Sequence, residues 1–215
     1  MSDYTLYSLA QSGNAYKVAL MLELAGAKWT PKFVDMFNGE TRSPEYRQIN
    51  VMGEVPVLED GDLRLTQSGV ILDYLAEKLG KYGAANNEER REILRWILFD
   101  NHKFTSYMAT YRFMKNFAPT PADPAVLAML RMRAEAAWKV LDTHLAGREW
   151  VVGTGMTIAD FSLCGYVYFS DEIGVDWNDY PNIRDWSQRI AALPGWKHPY
   201  DLMPGHPIPR KAPTP

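Results

Sequence analysis

Two short polar stretches stand where helices are predicted to begin, and their residue types suit the binding of an anion. The first is "TQS" at residues 66–68, directly before an amphipathic run that reaches Leu79. The first turn of a helix exposes unpaired backbone N–H groups with a partial positive charge, which favours a carboxylate. Ser68 can add a hydroxyl donor, and the Gln67 amide can both donate and accept. Thr66 or Ser68 could instead cap the helix.

The second stretch is "SGN" at residues 12–14, between the first predicted strand and the first predicted helix. Ser12 and Asn14 are both of the residue types that cap helices. If Asn14 is the cap, the Ser12 hydroxyl stays available as a donor. The loop contains no cysteine, and the single Cys164 falls in an apolar run that predicts a core position. One cysteine excludes an internal disulfide and suits a reducing cytoplasm.

Pro56 lies in an apolar stretch, at the position where a strand is predicted to begin. Proline removes a donor from the strand ladder, so it belongs at edges and at strand starts. Here "PVLE", "DG" and "DLRL" follow one another, which predicts a hairpin that turns at Asp60–Gly61. A Val-Pro bond can also adopt the cis form at a cost of only about 0.5–1 kcal/mol.

Composition excludes several other classes of function. With 215 residues, 47% of them hydrophobic, and a net charge of −3, the chain is typical of a soluble globular protein. The chain has no block of Lys and Arg that would indicate a nucleic-acid partner, and it has no apolar run long enough to span a bilayer. The start "MSDYTLYSL" lacks the features of an export signal, so we expect a cytoplasmic location. The four histidines lack ligand-like spacing, so no metal site is expected.

The elements predict an α/β half followed by an all-helical half. The predicted strands are residues 4–9, 29–36, 56–59 and 62–65, and the predicted helices among them are residues 15–26, 43–50 and 67–79. This order is that of a thioredoxin-type domain. After it come the predicted helices 88–117, 125–145, 183–193 and 196–200, together with a helix that starts at a capping box over Thr157–Asp160. We therefore expect a domain over residues 1–80, an all-α domain over 87–200 and a proline-rich tail over 201–215.

The segments "NVMGEVPVLEDGDLRLTQSGVILDYL" and "TIADF", in this order and separation, resemble the cytosolic glutathione transferase family. The resemblance extends over about residues 4–200. It implies a thioredoxin-like domain that binds glutathione as a co-substrate, no other cofactor, an all-α domain and a homodimer. It also implies attack of the glutathione thiolate on a small hydrophobic electrophile. The fold hosts other functions as well, so a glutathione-dependent disulfide reductase and a non-catalytic binding protein remain alternatives.

The resemblance assigns most of the glutathione contacts. It implies that the bond before Pro56 is cis and that the backbone of Val55 pairs with the cysteinyl part of glutathione, as an added strand would. It places the γ-glutamyl end at Gln67 and Ser68. Relatives often carry Lys or Gln where this chain has Glu54, whose charge does not suit the glycine carboxylate.

Glu54 could contact an amide or the γ-glutamyl amine, or it could point away from the ligand. The glycine carboxylate then needs another partner. Asn38, Arg42 and Lys17 are the candidates that the sequence offers for it.

The reaction requires a thiolate, because the anion is the nucleophile. Family members supply Tyr, Ser or Cys near the end of the first strand, and Ser12 is the best candidate here, which resembles the Ser/Thr-dependent classes. Asn14 is a helper or a rival, since it resembles an accessory asparagine of some bacterial members. Tyr7 and Ser8, on the strand itself, are further rivals.

The electrophile would lie against an apolar surface on the long helix. The expected residues of this hydrophobic pocket are Leu9, Phe104, Tyr107, Met108 and Tyr111. The same aromatic stripe could instead belong to the core or to a dimer interface. Asp100 is expected to be solvated on the helix surface.

Overall fold

The structure is a computed structural model that describes residues 4–208, and it divides into two compact units. The first unit contains the residues up to Lys81 together with those from Pro194 onwards, and the second is Tyr82–Leu193. The sequence had assigned residues 194–200 to the helical half. They instead pack with the first unit, where Lys197 O accepts a hydrogen bond from Tyr16.

The first unit is a thioredoxin-like domain built on a four-stranded mixed sheet, as predicted. The strands are β1 Tyr4–Ser8, β2 Trp29–Phe33, β3 Val57–Asp60 and β4 Leu63–Thr66, in the order β2-β1-β3-β4. β1 is parallel to β2 and antiparallel to β3, and β3 is antiparallel to β4. The helices connected with it are α1 Gly13–Ala25, α2 Pro44–Ile49 and α3 Ser68–Leu79. The β-α-β-α-β-β-α order is therefore confirmed.

The hairpin turns one residue later than predicted. Gly61 and Asp62 form the turn, while Asp60 still pairs with Leu63 as the last residue of β3. The Asp60 carboxylate accepts hydrogen bonds from Tyr74 Oη at 2.6 Å and from Lys78 Nζ at 2.7 Å. These bonds hold Asp60 in the strand, and Gly61, at φ +59°, takes the left-handed position that suits glycine.

The second unit is all-helical, as predicted. Its helices are α4 Asn87–Phe99, α5 Thr105–Asn116, α6 Pro124–Leu145, α7 Ile158–Cys164, α8 Ser170–Ile173 and α9 Pro181–Ala191. A further short helix, α10 Pro199–Leu202, follows in the part of the chain that returns to the first unit. None of the helices in residues 4–208 is both long enough and apolar enough to pass through a bilayer.

The stretch predicted as one helix over residues 88–117 is helical without a break from Asn87 to Asn116, but a π-helical segment, Asp100–Phe104, lies between α4 and α5. Asp100 is fully buried there, so the expectation that it is solvated is wrong. Its carboxylate accepts hydrogen bonds from Thr105 Oγ1 at 2.6 Å and from Ser162 Oγ at 2.7 Å. Two buried hydroxyl donors thus take the place of water at this carboxylate.

The predicted capping box at the start of α7 is confirmed. The Thr157 hydroxyl accepts from the backbone of Ala159, and the Asp160 carboxylate accepts from the Thr157 N–H at 2.8 Å. Asp160 also accepts from Val151 N–H at 3.0 Å and from Trp186 Nε1 at 2.9 Å. Burial outweighs these bonds and raises the pKa of Asp160 to about 6.

The end of the chain is described only in part. Of the proline-rich tail predicted over residues 201–215, residues 209–215 lie outside the described part. Residues 203–208 follow α10 without helix or strand. Cys164, the last residue of α7, is buried, as predicted.

Candidate functional site

The register of the sheet brings the predicted glutathione-binding segments to one end of the first unit. Tyr7 near the end of β1 pairs with Val57 at the start of β3, and Val57 pairs with Thr66 at the end of β4. The loop after β1, the residues before β3 and the residues after β4 therefore lie at the same end of the sheet. Each of the three carries part of the predicted site.

Ser12 is the N-cap of α1. Its Oγ accepts a hydrogen bond from the Ala15 N–H at 3.1 Å, and its own N–H donates to Leu9 O at 3.0 Å. The alternative in which Asn14 caps the helix is therefore wrong. Accepting the cap bond uses a lone pair of the hydroxyl and leaves its proton, which has no acceptor in residues 4–208. The half-buried hydroxyl can cap the helix and donate to a ligand at once.

Asn14 lies in the first turn of α1, two residues after Ser12. Its Oδ1 atom is buried and has no hydrogen-bond partner in the described residues. A buried carbonyl oxygen without a partner is uncommon in folded proteins, and a donor from a bound molecule would satisfy it. This oxygen suits an N–H or S–H group, because a carbonyl cannot donate to a thiolate.

The two rivals on β1 have other partners. Tyr7 Oη donates to Glu59 at 3.1 Å and accepts from Lys32 Nζ at 3.1 Å. Ser8 is fully buried, and its hydroxyl donates to Leu6 O at 3.4 Å. Both hydroxyls are thus engaged within the unit, which favours Ser12 over Tyr7 and Ser8.

The backbone of Val55 is open to a ligand. The Val55–Pro56 bond is cis, as the resemblance implies. Neither the N–H nor the C=O of Val55 has a hydrogen-bond partner in residues 4–208. An extended peptide could pair with both groups, as a strand pairs with a sheet edge.

Two buried residues that sequence reasoning missed hold the peptide before Val55. The Glu54 carbonyl accepts from Tyr46 Oη at 2.9 Å and from Asn50 Nδ2 at 2.8 Å. Burial, with a smaller effect of the Glu40 carboxylate, raises the pKa of Tyr46 far above its usual value, so its hydroxyl stays a donor. The signal was present in "SPEYRQIN", where Tyr46 and Asn50 stand four residues apart and so share one helix face.

The start of α3 has no side-chain cap. Its N-cap residue is Gln67, whose side chain makes no cap bond, so the alternative in which Thr66 or Ser68 caps the helix is wrong. Ser68 is 6% exposed, and its hydroxyl has no partner in the described residues. The first N–H groups of α3 and this hydroxyl are therefore available together for a carboxylate.

Gln67 has an unusual backbone conformation for a residue with a side chain, with φ at +68°. Such residues are uncommon and concentrate at functional sites. Its Nε2 donates to Glu54 Oε2 at 3.2 Å and lies 2.9 Å from Met52 Sδ. Glu54 and Gln67, both predicted to bind glutathione, are thus in direct contact.

Of the three candidates for the glycine carboxylate, the structure favours Arg42. Asn38 Nδ2 donates to both oxygens of the Asp35 carboxylate, at 2.9 and 2.8 Å. Lys17 is fully buried in α1. Arg42 is exposed at the end of a short 3-10 turn, and its side chain has no partner in residues 4–208.

The predicted pocket residues differ in exposure. Leu9 lies in the core cluster of the first unit, and Phe104 and Met108 are fully buried in the second. Tyr107 and Tyr111 are partly exposed, and Tyr107 Oη accepts from Arg133 at 3.0 Å. Of the five predicted pocket residues, only the two tyrosines are therefore partly exposed.

Within residues 4–208, no group of three or more acidic, His or Cys side chains is placed to hold a metal ion.

Comparison with known proteins gives two family models that match successive parts of the chain. The N-terminal domain of glutathione S-transferase matches residues 2–77, and the C-terminal domain of glutathione S-transferase matches residues 125–194. Both matches agree with the α/β half and the helical half of the structure.

Solved structures match over nearly the whole chain. A possible glutathione S-transferase from Rhodopseudomonas palustris is 31% identical, with a TM-score of 0.86 over 94% of this chain and 91% of that one. A glutathione S-transferase from Xanthobacter autotrophicus Py2 is 32% identical, with a TM-score of 0.83 over 90% and 95% of the two chains.

A more distant structure shares the fold alone. It is a glutathione transferase homolog from Lodderomyces elongisporus, solved with two glutathione molecules per subunit. It is 22% identical, with a TM-score of 0.87 over 95% of this chain and all of that one. With two consecutive domain matches and relatives above 30% identity over most of its length, this chain belongs to the glutathione S-transferase family.

Proposed function

We propose that this protein is a glutathione transferase that activates the glutathione thiol for attack on small hydrophobic electrophiles. The observation that supports this most is the set of unsatisfied groups at one end of the sheet. It comprises the Ser12 proton, the Val55 backbone and the start of α3 at Ser68. These groups complement a thiol, a peptide backbone and a carboxylate, which glutathione carries in one molecule.

The binding part of the proposal uses neutral donors and the helix start. Ser68 and the first N–H groups of α3 receive the α-carboxylate of the γ-glutamyl end, where the partial positive charge favours an anion. Gln67 orients this end, and Val55 pairs with the cysteinyl backbone. Arg42 is the proposed partner of the glycine carboxylate.

The catalytic part concerns the thiol. A free thiol with a pKa near 8.5 is mostly protonated at neutral pH, and each unit of depression requires about 1.4 kcal/mol of selective stabilisation. Ser12 Oγ–H, at the start of α1, is the proposed donor to the sulfur once it is ionised. Asn14 Oδ1 is the proposed acceptor for a backbone N–H of the ligand.

One observation favours a second candidate, a binding protein of the same fold without turnover. The exposed Glu54 carboxylate contacts Gln67, the residue proposed to orient the γ-glutamyl end, and its negative charge disfavours an anionic ligand there. Weak binding of glutathione would then fit a binding protein whose role does not require its site to be filled with glutathione.

Assays on the full chain separate these functions. The enzyme is tested with a chromogenic aryl halide and, in parallel, with a small disulfide, both with glutathione. Turnover of the aryl halide supports the transferase, and turnover of the disulfide alone supports a reductase. Silence in both assays, together with passage through a glutathione column, supports the non-catalytic role.

A homodimer is the second part of the proposal. The first unit exposes several large apolar side chains: Val51 at 77%, Met52, Leu63 and Val70. A second copy would cover such side chains, because exposed apolar surface of this kind often marks an interface. Sedimentation is expected to give two chains per particle and Val51→Asp to give one, while Val140→Asp, an exposed position of the second unit, leaves the dimer intact.

A further inference from the structure

The residues from Pro194 to Ile208, here called the strap, return from the second unit to the first and pack on α1. Tyr16 Oη, on α1, donates to Lys197 O at 2.8 Å, and Lys197 forms an ion pair with Glu23 on the same helix. Leu202 and Met203 of the strap are buried. The strap is therefore an ordered part of the first unit.

Two hydrogen bonds join the strap to the loop that ends at Ser12. The Ala10 N–H donates to Pro204 O at 2.7 Å, and Gln11 Nε2 donates to Gly205 O at 2.9 Å. Ala10 is fully buried, and Gln11 is nearly so. These two residues directly precede Ser12, so the strap fixes the loop from which the Ser12 side chain projects.

The strap can follow this path only with glycine at position 205. Gly205 has φ at +95°, and a Cβ atom there would lie 2.4 Å from Cε2 and 3.0 Å from Cδ2 of Phe33. Phe33 is the last residue of β2, where it pairs with Ser8 and packs against the core cluster. A side chain at position 205 must therefore displace the strap, the aromatic ring or both.

We propose that Gln11 and Gly205 are positioning residues that hold the Ser12 hydroxyl where it can donate to the thiolate of bound glutathione. The proposal rests on the function proposed above. Ser12 itself has three local hydrogen bonds: its N–H donates to Leu9 O, its Oγ accepts from Ala15 N–H, and its carbonyl accepts from Tyr16 N–H. The strap adds two bonds from distant sequence to residues 10 and 11, directly before Ser12, and so supports the loop beyond what the local turn provides.

The test uses two glycines of the same strap. Gly205→Ala is compared with Gly195→Ala, because Gly195 has nearly the same φ, +91°, but a Cβ there meets only Leu24 Cδ2 at 3.9 Å. Both variants place alanine at a similar positive φ, and only Gly205→Ala adds a clash, with Phe33. Gln11→Met removes the amide donor at nearly constant length. In each full-length variant, the absorbance of the bound glutathione thiolate is titrated with pH, and the dissociation constant is measured by calorimetry.

We expect Gly205→Ala and Gln11→Met to raise the pKa of the bound thiol by about half a unit or more, which is roughly threefold less thiolate at neutral pH. Gly195→Ala should leave this pKa unchanged, and glutathione affinity should change little in all three. Adding Gly205→Ala to Ser12→Ala should raise the pKa no further, since the group being positioned is already absent. Equal titrations for Gly205→Ala and Gly195→Ala would overturn the proposal.

Failure of the proposed function gives a different pattern. If glutathione does not bind, or if Ser12→Ala leaves the thiol pKa unchanged, the chemistry assigned to Ser12 is wrong. Hydrogen exchange of the Ala15 amide, which is bonded to Ser12 Oγ, then decides the positioning role. Faster exchange in Gly205→Ala than in Gly195→Ala supports it, and equal exchange overturns it.

Discussion

The Ser12 hydroxyl accepts the hydrogen bond of the Ala15 N–H at 3.1 Å, and its proton remains available. One hydroxyl can thus stabilise a helix and a ligand anion, and Ser12→Ala should remove both effects. Loss of the cap should lower the free energy of unfolding by about 0.5–2 kcal/mol. Loss of the donor should raise the pKa of the bound glutathione thiol by one or two units. The rate at neutral pH should then fall roughly 10- to 150-fold. Thiolate absorbance and the pH profile of the rate measure this.

The control for Ser12→Ala is a cap of the same kind in another helix. Ser43 caps α2 by accepting from Tyr46 N–H, also at 3.1 Å. Ser43→Ala should therefore lower stability by a similar amount and leave the pKa of the bound thiol unchanged. If Ser12→Ala behaves as Ser43→Ala does, Ser12 is only a cap.

Ser68→Ala separates a binding role from a structural one. Because the Ser68 hydroxyl makes no bond within residues 4–208, its removal should change the free energy of unfolding little. If it donates to the γ-glutamyl carboxylate, glutathione should bind more weakly by about 1–3 kcal/mol, or roughly 5- to 150-fold. Calorimetry measures this. Thr66→Val, which removes the neighbouring hydroxyl, should stay near wild-type affinity, and the same result for Ser68→Ala would remove Ser68 from the site.

Glu54→Gln should strengthen the binding of glutathione. The substitution removes a negative charge beside Gln67, and the new amide can keep the hydrogen bond to that side chain. Since Glu54 is exposed, the gain is expected to be about 1 kcal/mol or less, which is at most roughly fivefold. It should also shrink as salt is added. Glu45→Gln makes the same charge change at an exposed position on α2 and should have a smaller effect; equal effects would mean that Glu54 acts only through net charge.

Asp160 should make stability fall with rising pH in the acid range. Burial raises its pKa from 3.8 to about 6, so between these values the folded protein holds a proton that the unfolded chain releases. The contribution is complete below pH 3.8 and is lost as the pH passes 6, with a slope of up to about 1.4 kcal/mol per pH unit. In the wild type, the free energy of unfolding measured with denaturant should show this slope across the pH range. In Asp160→Asn, this part of the slope should be absent. Parallel curves would contradict the raised pKa, as would an Asp160 carboxyl NMR titration centred near pH 4.

Much of the first unit was predictable because its determinants are local. The strands, the Ser43–Pro44 helix start and the position of Pro56 each follow from residue types within a few positions. The sequence also placed Val55, Gln67 and Ser68 on the correct elements. What it could not reveal was that Tyr46 and Asn50 bond the Glu54 carbonyl, because that depends on how α2 packs.

Local sequence patterns also could not decide which residues cap a helix and which remain available to a ligand. Ser12 and Asn14 both suit an N-cap, and only the backbone conformation selects Ser12, at φ −89° and ψ 105°. At α3 the pattern offered Thr66 and Ser68 as caps, yet the helix starts without one. The strap contacts Ala10 and Gln11 from about residue 204. Hydrophobic periodicity cannot predict such a contact, because the residues are far apart in sequence.

The π-helical segment contains one wide backbone turn, in which the Thr105 N–H donates to Asp100 O, five residues earlier. The buried residues of the segment are Asp100 and Phe104. The residues between, Asn101, His102 and Lys103, are exposed. The segment therefore holds one residue more than a continuous α-helix needs. Deleting one of these three would place Thr105 four residues after Asp100, so the bond between their backbones would become an ordinary α-helical one, and the helix could lose a residue without losing that bond.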